Sequence, residues 1–141
     1  MLFAVSVIVV ALNKTSVSGG NESWTEKQLL QPAELAKMLN DKASKKPIIL
    51  SIGFKGGIKN SIEVGAARDK AGIENLKKEL AKYSKEANIV IYCGCCPFAN
   101  CPNIRPAFNL LNEMKFTNHK LLNLPHNLKA DWIDKGYPMN Q

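Results

Sequence analysis

Apolar positions along this chain fall into two regimes. Two short runs, residues 48–52 (Ile48-Ile49-Leu50-Ser51-Ile52) and 88–92 (Asn88-Ile89-Val90-Ile91-Tyr92), carry no charge. Runs of that length without polar alternation are what strands buried on both faces require. Between them apolar residues recur at helical spacing. Over residues 32–42, Leu35, Met38, Leu39 and Lys42 share one face, and Pro32 occupies the first helical position, where its missing N–H costs nothing. Over residues 73–87, Ile73, Leu76, Leu80, Tyr83 and Ala87 repeat in the same way, and over residues 106–116 Ala107, Leu110, Leu111 and Met114 do so. A strand is predicted at residues 119–124 and a last helix around residues 127–135, whose Trp132 falls on the buried face. A short extended piece, residues 62–64, follows a glycine-rich loop at residues 53–57. Strands alternating with amphipathic helices predict an α/β fold: three layers, a mostly parallel central sheet and helices on both faces.

The first thirty residues break this pattern. Residues 2–12 (LFAVSVIVVAL) are apolar and uncharged, too short to span a bilayer and the length of a signal-peptide core. Ser16-Val17-Ser18 before Gly19 offers a small-x-small cleavage site. The division predicted is a signal peptide at 1–18, a polar linker at 19–30 and the folded domain at 31–141. Such a protein is exported, periplasmic or secreted, with no stable membrane span. An uncleaved anchor and an extra packed strand are the other readings of the apolar run. The 141-residue chain carries a net charge of +7, which suits anionic substrates. Its lysines are scattered rather than clustered with aromatics, so no nucleic-acid partner is expected.

All four cysteines lie in one short stretch, at positions 93, 95, 96 and 101. It sits between the strand ending at Tyr92 and the helix beginning near Pro106. A thiol there faces the amides of a helix's first turn, which favour the thiolate. Ligands bind beyond the carboxyl ends of strands in such sheets. Three loops meet there, residues 53–60, 93–104 and 125–127, and they bring Lys55, Lys59, Arg105 and His126 towards the cysteines. Other readings remain open, among them a catalytically silent domain that binds a partner. Cys96 and Cys101 form a candidate disulfide, and Cys93 with Cys96 makes a CxxC dithiol. Soft thiolates also suit Cu(I) or zinc, with His126 as a further donor. The spacing is tighter than a pair-of-pairs zinc pattern, so four-way coordination is not expected, and no residue is assigned to a metal.

Several segments resemble the rhodanese family of sulfurtransferases, over roughly residues 25–139. Gly56-Gly57-Ile58-Lys59-Asn60-Ser61-Ile62 resembles its Gly-His-Ile-Pro-Gly-Ala-Ile signature. Ile91-Tyr92-Cys93 resembles the strand that delivers its active cysteine. Arg105 with Pro106-Ala107-Phe108-Asn109-Leu110-Leu111 resembles the arginine and helix closing its active loop, and Trp132 to Pro138 (WIDKGYP) resembles its C-terminal element. The resemblance implies that Cys93 accepts sulfane sulfur and carries it as a persulfide, with Arg105 holding the anion. Candidate substrate contacts are Gly94, Cys95, Cys96, Lys59 and His126. The implied partners are a small anionic sulfur donor such as thiosulfate and a thiol or cyanide acceptor; no cofactor is implied. The chain departs from the family at Gly57, where a histidine is usual, and at Ser51 or Gly53, where an aspartate is. Its loop is also longer, with eleven residues between Cys93 and Arg105.

Overall fold

A computed structural model describes residues 22–54 and 57–141. The expected signal peptide and its cleavage site, like Lys55 and Gly56, lie outside the described residues. The elements are β1 (Leu29–Leu30), α1 (Pro32–Asn40), β2 (Ile48–Ser51), β3 (Ser61–Glu63), α2 (Lys70–Leu80), β4 (Ile89–Tyr92), α3 (Ile104–Glu113) and β5 (His119–Leu122). Every strand pairing is parallel, and the sheet order is β1-β5-β4-β2-β3. This is the three-layer α/β architecture expected from the strand and helix pattern.

Strand alternation divides the apolar residues between two cores. Leu50, Ile52, Ile89, Ile91 and Leu121 pack with Leu76 and Leu80 of α2 and with Ile104, Ala107, Phe108 and Leu111 of α3. Ile49, Val90, Tyr92 and Leu122 face Leu35, Ala36 and Leu39 of α1, and Trp132 fills the same layer. Cys93 has the parity of Ile89 and Ile91, so it turns to the α2–α3 side.

Several boundaries differ from expectation. The predicted linker is built into the domain from Trp24 onward. That indole, 9% exposed, packs edge-on against Phe108 at 5.8 Å and near Phe98 at 6.1 Å. Leu29 and Leu30 pair with Leu121 and Leu122. A strand of two residues has no period to detect, and the polar neighbours of Trp24 hide its burial. Helix α2 stops at Leu80 rather than continuing to 87, because Lys82 and Tyr83 donate to the carbonyls three residues back and tighten the chain into turns. Helix α3 begins at Ile104, which places Pro106 inside its first turn, where no intrahelical donor is needed. The last helix shrinks to a π-type turn, Lys129–Ile133, closed by the Asp134 N–H on the Lys129 carbonyl at 2.8 Å.

The sheet reverses winding direction at its middle. The chain leaves β2 towards β3 on one side and leaves β4 towards β5 on the other. The carboxyl ends of β2 and β4 therefore frame a crevice. Tyr92 braces one wall: its hydroxyl accepts from the Gly57 and Ile58 amides and lies 3.1 Å from the Ser61 hydroxyl. The C-terminal tail pins the same loop, with Ile58 bridged to Met139 and the Lys59 amide donating to the Pro138 carbonyl. No described helix is long and apolar enough to cross a membrane.

Candidate active site

Cys93 is the first residue beyond the central strand and is 1% exposed. Its sulfur sits against Gly53 at the end of the neighbouring strand; a Cβ on Gly53 would lie 2.7 Å from it. That glycine is the residue type the close approach requires. The following loop runs Gly94 to Asn103 and is anchored at both ends. The Gly94 carbonyl accepts from the Leu128 amide at 3.1 Å, and the Phe98 amide donates to the Leu124 carbonyl at 3.1 Å. A 3-10 turn, Phe98–Asn100, then leads into Cys101.

This path folds the loop back on itself and gathers the thiols. The four sulfurs lie within 4.8 Å of one another. Cys93 to Cys95 and Cys95 to Cys96 are each 3.3 Å. Cys93 and Cys101 are buried, Cys96 is half-buried and Cys95 is exposed. All four are free thiols, and the candidate Cys96–Cys101 bridge is not formed. Cys101 instead turns inward, where its thiol donates to Cys93. The CxxC pair is not the shortest contact either, since Cys95 is packed against both Cys93 and Cys96.

Asn103 organises the cluster and was not singled out by sequence reasoning. It is 1% exposed and sits at the N-cap of α3. Its Oδ1 accepts from the Arg68 amide at 3.0 Å, which fixes the orientation of the side chain. Its Nδ2 must then face the sulfurs, and it lies 3.4 Å from Cys93 and 3.8 Å from Cys101. An asparagine just before a helix is the signal that could have found it, although caps are common and this one spends its side chain elsewhere.

Donors therefore converge on Cys93. The Cys101 thiol, the Cys95 amide, the Asn103 amide and the Cys95 thiol together outweigh burial and hold Cys93 down at about 5. The neighbours move the other way. Cys95, though exposed as a residue, is pushed up to about 12 by partial desolvation of its sulfur and by Cys93 and Cys96 beside it. Cys101 is raised because it donates to Cys93 and is buried. Of these three thiols Cys93 is the one favoured as a thiolate, with Cys95 and Cys101 favoured as its protonated neighbours.

The remaining candidates are placed differently. Among the described residues, no hydrogen bond or ion pair joins Arg105 to the thiols. Its guanidinium grips Glu22 at 2.8 and 3.0 Å, donates to the Ala99 carbonyl at 2.9 Å and lies over Trp24. The sequence resemblance assigned it to a substrate anion; in the fold it straps the N-terminal segment to the cysteine loop, because Glu22 is the anion within reach. The His126 ring is 72% exposed and bound through Nδ1 to Asp131 at 2.8 Å. Lys59 is exposed on the pinned loop. Neither is drawn to the sulfurs by a described contact. Three surface hollows, lined by such residues as Gln31 and Tyr137, Lys45 and Tyr83, or Glu34 and Lys120, contain no cysteine. The four thiols themselves form a packed cluster.

No protein-family description and no curated protein matches this chain. Solved structures do. Wild-type EanB and a cysteine-to-serine variant of EanB in complex with hercynine each show 16% identity and a TM-score of 0.57. Both alignments cover 81% of this chain and 27% of that one, so the chain spans about a quarter of the proteins it matches. At that identity the likeness is one of fold.

Proposed function

We propose that this chain is a sulfurtransferase that carries sulfane sulfur on Cys93. The observation carrying this reading is the set of hydrogen-bond donors converging on one buried sulfur at the carboxyl end of the central strand. Such an arrangement maintains a thiolate at neutral pH and also stabilises the anionic outer sulfur of a persulfide.

The Cys93 thiolate attacks the outer sulfur of thiosulfate. The new S–S bond takes that sulfur, and the old S–S bond breaks with its electron pair leaving on sulfite. A thiolate acceptor then attacks the outer sulfur of the Cys93 persulfide and departs as its own persulfide, which returns the Cys93 thiolate. Cyanide accepts in the same way and leaves as thiocyanate. Because Cys93 is 1% exposed, donor and acceptor approach past the exposed Cys95. The test is intact-mass measurement of the reduced, metal-free protein after thiosulfate. One cysteine should gain about 32 Da, and cyanide should remove it. Cys93→Ser should abolish the gain; a gain that persists in Cys93→Ser refutes the assignment.

A further inference from the structure

The four sulfurs have a second property that sulfur transfer does not need. A tetrahedral zinc site with bonds of about 2.3 Å has sulfur–sulfur edges of about 3.8 Å. The cluster brackets that value, with edges of 3.3 Å at the short end and none beyond 4.8 Å. Shifts of roughly half an ångström would regularise it. We propose that Cys93, Cys95, Cys96 and Cys101 close around a single zinc ion.

The surroundings of the sulfurs supply the independent support. A four-thiolate zinc site carries a net charge of −2, which needs donors around its sulfurs. Cys93 and Cys101, at the two ends of the loop, are both buried, so their sulfurs need such donors most. Asn103 Nδ2 adds N–H groups towards the same two sulfurs, locked in that direction by Arg68. The donor set is all sulfur, since His126 is held by Asp131. Soft thiolates in tetrahedral reach select zinc over oxygen-loving cations. A closed four-cysteine site leaves no thiolate free. Zinc and sulfane sulfur would therefore exclude each other at Cys93, and the metal would regulate the chemistry proposed above. The metal site itself does not depend on that chemistry.

The experiment uses the full chain, reduced and stripped with a chelator. Zinc is titrated against a chromophoric competitor, and cobalt(II) is used as a spectroscopic probe. One zinc per chain should bind with a Kd below about 10⁻⁷ M. Cobalt should show thiolate charge-transfer and tetrahedral d–d bands, and all four thiols should resist alkylation. Cys95→Ser, at an exposed position, should keep the fold and weaken zinc by about 100-fold or more. Binding weaker than about 10⁻⁷ M, or binding unchanged in Cys95→Ser, overturns the proposal. The thiosulfate mass shift of the zinc-free protein is read separately. Its loss would sink sulfur transfer while leaving the metal site standing, and one equivalent of zinc should suppress it.

Discussion

Replacing Asn103 with alanine removes one donor from the Cys93 thiolate while leaving every cysteine in place. The Nδ2 group sits 3.4 Å from that sulfur and is oriented by the Arg68 amide. A hydrogen bond to a charged acceptor contributes about 1.5–3 kcal/mol, and sulfur is a weak acceptor, so the lower end applies. At 1.36 kcal/mol per pH unit, that is about one unit. Cys93, held near 5 in the parent protein, should rise to about 6 in Asn103→Ala. The readout is the rate of Cys93 alkylation by iodoacetamide from pH 4 to 9, on reduced, metal-free protein, with the site read by peptide mass. Asn103→Asp should raise the midpoint further, because a carboxylate would face the thiolate. The Arg68 amide loses its partner in the alanine variant, which costs about 1–3 kcal/mol of stability, so the fold is checked by circular dichroism. A parent midpoint near the ordinary thiol value of about 8.5 would refute the converging-donor account. So would a midpoint that Asn103→Ala does not move.

Other outcomes follow from the same geometry. Gly53→Ala should force the Cys93 sulfur out of place, costing about 1–3 kcal/mol in chemical denaturation and lowering persulfide yield; an unperturbed yield would contradict the close approach. Arg105→Met should cost only about 0–1 kcal/mol, since both partners of the Glu22 pair are more than a third exposed. It should also leave persulfide formation within about 2-fold, and a 100-fold loss would restore a role at the substrate anion. Tyr92→Phe should loosen the β2–β3 loop by about 1–2 kcal/mol, seen as faster amide exchange at Gly57 and Ile58. Stability of the metal-free protein should also depend on pH. Cys93 titrates lower in the folded than in the unfolded state, so its contribution is present in full above about 9 and is lost as pH falls towards about 5. Cys95 and Cys101 titrate higher when folded, so their contribution is lost as pH rises above the ordinary thiol range. Urea midpoints should peak near pH 8–9, and a monotonic profile across that range would oppose the assignment.

Periodicity determined the layers. Uncharged runs at Ile48–Ser51 and Ile89–Tyr92 could only be central strands, and the spacing of Leu76 with Leu80 and of Ala107 with Leu111 could only serve helices against them. The position of Cys93 at a strand end, with a helix to follow, was legible for the same reason: both are local facts. Elements too short to show a period were not legible. Leu29–Leu30 becomes a strand only because Leu121 and Leu122 already offer an edge to pair with.

What the tertiary structure alone decided is which side chains share the crevice. Asn103 is distant in sequence from Arg68 and Gly53, and nothing in a linear pattern reports that one would fix its amide and the other make room for the sulfur beside it. Arg105 carried the motif expected of an anion binder, and only the fold shows that Glu22 lies within its reach. Cysteine spacing alone left bridge, dithiol and metal as rivals; the fold of the loop between two anchors set the sulfur distances. Local spacing specifies periodic elements, because each residue's neighbours along the chain are also its neighbours in space. A site assembled from loops depends on contacts between residues far apart in the chain, and only packing of the sheet and helices brings those together.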